Sequence, residues 1–168
     1  CCWAVTSLLS APQARHLGAF AFTRWRMGLV LLMLLPVVGL SGSWQTLSLS
    51  TVGVLMVSGL IGIFVGDTAL FACMNRMGPR RSGVLFATHA VFSALLGFTV
   101  LDERMGPRAM LGGALVVGGV MTAVAFGARK DESHELETVR GHWAWGVALG
   151  LLAALCQALG SLIAKPVM

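Results

Sequence analysis

Asp67 is the side chain of this chain whose type and place most demand an explanation. It lies inside IGIFVGDTALFACM, residues 61–74, far from other charge. A carboxylate in hydrocarbon is costly and normally faces protein or a water-filled interior. Two roles suit it: a substrate or proton site, or a structural partner of an arginine or a helix end. On a helix its face continues through Phe71 and Met74, beside a stripe of Gly59, Gly62 and Gly66 where another helix can approach closely. His89 is the second candidate. Ser82, Phe86, His89, Ser93 and Gly97 share one helical face, a small and polar stripe suited to lining a cavity. An imidazole there can couple to protons, or it can stay neutral and bond to a neighbouring helix. Gln157, Ser161 and Lys165 form a third group at i, i+4 and i+8, although a lysine near a helix end also snorkels to the interface. Arg24 and Arg26 can neutralise an anionic solute or anchor a helix end.

One enzymatic pattern is present. Gly39-Leu40-Ser41-Gly42 has the G-x-S-G form of intramembrane serine hydrolases, with His89 as the available base. Nucleophile and base must then lie within hydrogen-bond reach. The cysteines point elsewhere: Cys73 and Cys156 lie in apolar runs, Cys1 and Cys2 are adjacent, and no C-x-x-C occurs. The residues call for no cofactor and no metal site.

The elements that hold these residues are membrane helices. Of the 168 residues 57% are hydrophobic and only 11% charged, with a mean hydropathy of +0.83. Residues 82–101, 109–128 and 144–164 contain no Lys, Arg, Asp or Glu. A hydrocarbon core of about 30 Å needs about 20 apolar residues in a helix, and several such runs exceed what a small soluble domain can bury. The net charge of +5 sits in the breaks between runs. This pattern orients membrane helices and excludes nucleic-acid binding. The expected fold class is all-α, a polytopic membrane helix bundle. Six helices are expected: residues 1–10, stopped near Pro12; about 20–40; about 49–74; 82–101; 107–128, opened by Pro107; and 144–164. Gly78-Pro79 marks a turn before the fourth, and Trp143 and Trp145 sit at interfacial depth before the sixth. The short first run has no basic residue before it and is not a signal peptide.

The sixth helix echoes the first. Residues 2–12 read CWAVTSLLSAP and residues 156–166 read CQALGSLIAKP, with Cys2/Cys156, Ala4/Ala158, Ser7/Ser161, Leu8/Leu162 and Pro12/Pro166 identical. Trp3, Ser7 and Ala11 then match Gln157, Ser161 and Lys165. A five-helix unit that restarts must lie inverted in the membrane, and the matched faces meet where transporter sites usually lie.

Residues 69–120, from ALFACMNRMGPRRSG through Leu101-Asp102-Glu103 to Gly112-Gly113 and Gly118-Gly119, resemble the EamA-type repeat of the drug/metabolite transporter superfamily. Arg24 or Arg26 and Trp3 fit the same pattern. Two features depart from it: Ala90 stands where the family usually has a mid-helix proline, and residues 41–50 carry no charge where the family is basic. The resemblance implies an EamA-like five-helix repeat over residues 1–128, a connector over 129–143, and the first helix of a second repeat over 144–168. It implies a fragment, with the start of helix one and most of the second half missing. The implied activity is that of a secondary transporter of the bacterial inner membrane, exporting a small metabolite or amino acid by alternating access. Its partners are then the solute, the lipid bilayer and the missing half. The candidate solute-binding residues are Trp3, Ser7, Asp67, His89, Ser93, Gln157 and Ser161. An intramembrane serine hydrolase and a non-transporting membrane scaffold are the alternatives. Orientation stays open: Arg15, Arg24, Arg26, Arg76, Arg80, Arg81, Arg129, Lys130 and Arg140 favour a cytoplasmic place for the odd connections, opposite to the usual family arrangement.

Overall fold

In a computed structural model, the structure describes residues 2–42, 48–100, 106–126 and 142–167, the side chains of residues 2–4, 7, 8, 41, 109 and 124–126 excepted. Every regular element among the described residues is helical, as lipid requires of a chain that must satisfy its own backbone. The elements are α1 (Cys2–Leu17), α2 (Ala19–Ser41), α3 (Leu49–Ser58), a π-helical stretch (Gly59–Val65), α4 (Gly66–Met77), α5 (Pro79–Phe86), α6 (His89–Val100), α7 (Pro107–Phe126) and α8 (Trp143–Ala164), closed by a 3-10 turn (Lys165–Val167). Four stretches are long and apolar enough to cross a membrane: Ala19–Leu40, Leu49–Met77, Pro79–Val100 and Trp143–Val167. The expected fifth span is α7, whose apolar stretch is the shorter Met110–Ala123. Pro107 does open it.

Helix one differs from expectation. It does not stop at Pro12 but runs through it to Leu17. A proline inside a membrane helix is tolerated where neighbours satisfy the freed backbone. The stop comes at Gly18, whose φ of 81° suits a residue without a Cβ. Asn75 of α4 donates to the carbonyl of Ala14 at 2.9 Å, so one of the last carbonyls of α1 is capped from another helix. Gly78, with φ 86°, makes the second break, and Pro79 follows at the first position of α5.

Helix α8 is the centre of the bundle. It packs against α3, the π-helical stretch, α4, α5 and α6. Its buried face is small: Gly146, Gly150, Ala153, Ala154, Cys156, Ala158, Gly160 and Ala164. Without a hydrophobic drive between helices in lipid, small residues allow the close backbone approach on which dispersion and weak bonds depend. A Cβ on Gly160 would stand 2.6 Å from the Cα of Gly62, and one on Gly66 would stand 3.4 Å from the Cβ of Cys156. The stripe of Gly62 and Gly66 thus receives α8, and Ser58 donates across the same crossing to the carbonyl of Gly160 at 2.6 Å. The core continues on both sides of α8. Ala11, Ala14, Leu70, Phe71, Met74 and Ala153 form one cluster, and Cys73, Met77 and Leu85 form another. By contrast α2 turns its apolar side chains outward from residue 28 to residue 40, the reverse of a soluble protein and the expected face toward lipid.

Candidate functional site

Asp67 is buried and paired. Its Oδ2 accepts from Nη2 of Arg26 on α2 at 2.7 Å, with the carboxylate side chain 8% exposed and the guanidinium side chain 33% exposed. A charge-assisted bond of this length joins the two groups, and the pair is far cheaper to keep in a membrane than either charge alone. Arg26 also lies over the ring of Phe71, 5.4 Å from its centroid, and Phe22 meets Phe71 edge to face at 4.8 Å. The aromatic face complements the cation. Asp67 is presented to α2 by α4 directly after the π-helical stretch, while Gly62 and Gly66 face α8. Stretches of π-helix recur at functional sites because they re-aim the side chains that follow. Of the two roles read from the sequence, the geometry makes Asp67 an arginine partner that ties α2 to α4.

His89 sits at the break between α5 and α6, where it opens α6. Residues 87–88 leave the α-helical pattern, and the N–H groups of Thr88, Ala90 and Val91 bond three residues back, to Leu85, Ala87 and Thr88. The hydroxyl of Thr88 donates to the Leu85 carbonyl at 2.7 Å. The carbonyl of Phe86 lies 3.0 Å from Nδ1 of His89. With the proton on Nδ1, the imidazole donates the bond that the broken helix no longer supplies. The ring stacks on Phe86 at 5.1 Å. The break therefore occurs with Ala90 in place of a proline, and side chains repair it.

Ser93 and Ser161 do come together. With Gly97, Ala158, Leu162 and Lys165 they line a pocket of about 130 Å³ between α6 and the end of α8. The hydroxyl of Ser161 donates to the carbonyl of Ala158 at 2.8 Å. Gln157 is half-buried one turn earlier on α8. Asp67 and His89 do not line this pocket. Among the described residues the charge pair belongs to the α2–α4 contact and the two hydroxyls to the α6–α8 contact. Two wider apolar clefts flank α7. One, of about 490 Å³, includes Leu85, Phe92, Val120 and Trp143; the other, of about 410 Å³, includes Ala94, Leu95, Met110 and Gly113. The side chains of Trp3, Ser7 and Ser41 lie outside the described residues, as do residues 101–105 and the connector up to residue 141.

Sequence reasoning did not join Arg26 to Asp67 and left Lys165 out of the site. The first was not readable because the pair is 41 residues apart. The second had a signal, the shared helical face of Ser161 and Lys165, which was open to a snorkelling interpretation.

Comparison with known proteins fits this architecture. The model of the EamA-like transporter family matches residues 1–125. The chain is 29% identical over 136 residues to the uncharacterized transporter YetK of Bacillus subtilis (strain 168), covering 81% of this chain and 39% of that protein. It is 21% identical over 158 residues to an uncharacterized transporter of Archaeoglobus fulgidus, covering 94% of this chain and 57% of that protein. The chain thus spans about half, or less, of the length of these curated relatives. No solved structure matches it.

Proposed function

This chain belongs to the EamA-like transporter family, and on that footing we propose that it forms one repeat, and the first helix of a second, in a secondary transporter of the bacterial inner membrane. The transporter exports a small metabolite or amino acid by alternating access. The family match over residues 1–125 carries the reading. The helices support it: a transporter needs a polar seat within spanning segments, and Ser93 and Ser161 line such a pocket between α6 and α8. A scaffold has no use for one. In this reading Ser93, Gln157 and Ser161 contact the solute, and Trp3 and Ser7 take the equivalent places on the inverted partner helix. Asp67 and His89 act through the helices they hold, by pairing with Arg26 and by maintaining the break between α5 and α6.

The test uses the full-length protein in inverted membrane vesicles, offered a panel of labelled metabolites and amino acids. Saturable accumulation of at least one compound, absent from vesicles without the protein, is the expected result. A panel that moves no faster than in control vesicles would remove the transporter reading.

A further inference from the structure

The wider of the two clefts beside α7 has the dimensions and the wall of a lipid site. α7 packs on α5 and α6, and the cleft separates it from α8. Along α8 the lining runs from Trp143, the first residue of that helix, to Leu151, about 12 Å at 1.5 Å per residue. That is most of one leaflet, half of a hydrocarbon core of about 30 Å. The volume of about 490 Å³ equals that of about sixteen waters at roughly 30 Å³ each. A methylene group fills about as much space as a water, so one acyl chain fits and two do not. Leu, Val, Phe and Met side chains dominate the wall. The hydroxyl of Thr88 is spent on the carbonyl of Leu85 at 2.7 Å. Water in such a cleft lacks the polar partners it needs, so the occupant is apolar.

The outer end of the cleft is basic and aromatic. Arg81 lies one turn before Leu85 on the same face of α5. Arg76 lies in the last turn of α4, across the Gly78 reversal. The starts of α5 and α8 are level. A Cβ on Gly150 would stand 2.9 Å from the Cβ of Leu85, and one turn outward a Cβ on Gly146 would meet the side chain of Met77. Trp143 and Trp145, both exposed, therefore stand at the level of the two arginines, the depth where indoles anchor to headgroups. The spanning stretches Leu49–Met77 and Pro79–Val100 end and begin here, so long guanidinium side chains reach the phosphate layer. Among the described residues the one carboxylate, Asp67, is bound by Arg26.

We propose that the cleft binds an anionic phospholipid, with one acyl chain between α7 and α8 and the headgroup phosphate on Arg81 and Arg76 beside the indoles of Trp143 and Trp145. The lipid seats α7 in the bundle. Charge complementarity selects an anionic headgroup over a zwitterionic one. Chain and phosphate are both required: an apolar solute would use the cleft without the arginines, and a soluble phosphate the arginines without the cleft. The site needs only that these helices span a bilayer, so it stands apart from the transporter reading above.

The experiment offers the full-length protein, in detergent micelles, equimolar phosphatidylglycerol and phosphatidylcholine, and reads the retained lipid by native mass spectrometry. The wild type is expected to retain phosphatidylglycerol over phosphatidylcholine by about fivefold or more. Arg81→Gln should lower that preference about fivefold, the surface attraction of one basic residue for anionic lipid, and adding Arg76→Gln should erase what is left. Arg81→Lys, which keeps the charge, should retain most of it. Arg76 is exposed and Arg81 half-exposed, so these variants should elute as monodisperse protein. Arg108→Gln, at the start of α7 and thus at the opposite membrane face, should change nothing. Val120→Trp fills the cleft and leaves the arginines in place, and it should still lower phosphatidylglycerol retention. Millimolar glycerol phosphate, which has the headgroup chemistry and no chain, should not displace the lipid. Equal retention of the two lipids, an undiminished preference without Arg76 and Arg81, or an equal loss in Arg108→Gln would each overturn the proposal. So would unchanged retention in Val120→Trp or displacement by glycerol phosphate.

Discussion

At the scale of single residues, the balance between Coulomb attraction and desolvation decides what Asp67 does. A buried carboxyl group is met here at 2.7 Å by a guanidinium that keeps one side toward its surroundings. Removing one partner of a fully buried pair costs about 3–5 kcal/mol, and the one-third exposure of Arg26 lowers that to about 2 kcal/mol, because the orphaned cation can be screened. Asp67→Asn is therefore expected to lower the Tm of the purified full-length protein. Arg26→Gln combined with Asp67→Asn should recover part of the loss, since no unpaired charge remains. Strictly additive losses in the double variant would show that the pair does not couple α2 to α4. For His89 the relevant quantity is one carbonyl. His89→Ala leaves Phe86 without the ring donor at the break and should reduce the transport rate while membrane insertion stays intact. His89→Asn, which keeps a donor, should retain more activity than alanine. Equal rates for all three proteins would make the imidazole dispensable.

At the scale of elements, glycine separates what sequence pattern can and cannot tell. Gly62 and Gly66 were legible as a packing stripe, because their spacing on a helix beside Asp67 leaves a smooth face. The partner was not legible, since α8 lies far along the chain and its own glycines could have faced lipid. Gly112, Gly113, Gly118 and Gly119 carry the family resemblance, yet a Cβ on any of them meets nothing within 4 Å. Small residues alone therefore do not mark the close contacts; the crossing geometry does. Gly160→Val is expected to force α8 from the π-helical stretch, because even a Cβ would lie 2.6 Å from Gly62, and monodisperse protein should be largely lost on size exclusion in detergent. Gly119→Ala, in open space, should behave as the wild type. A well-behaved Gly160→Val protein would mean that the crossing is looser than the backbone contact implies. The π-helical stretch and the break at residues 87–88 had no legible signal: each is set by how neighbouring helices satisfy displaced backbone groups, which local composition does not encode. The end of α1 is the same lesson, since one of its last carbonyls, that of Ala14, is capped by Asn75 of α4.

At the scale of the whole molecule, the membrane as solvent was readable almost completely. Charge-free runs about 20 residues long have few other physical uses, and the four long spans and α7 fall where those runs lie. The candidate site was readable only in part. Ser93 and Ser161, both picked from helical spacing, line the α6–α8 pocket, whereas the contacts of Asp67 with Arg26 and of His89 with Phe86 depend on how the helices pack, which spacing alone does not give. The central claim, that helices of this family arranged around α8 carry a small solute by alternating access, is tested most directly by counterflow. Full-length protein would be reconstituted in liposomes loaded with unlabelled solute and diluted into a trace of the labelled one. The account predicts transient accumulation of label above its external concentration, saturable and absent from protein-free liposomes, because only a carrier that reorients with its cargo exchanges in this way. Label that merely equilibrates, or never enters faster than into protein-free liposomes, would contradict it.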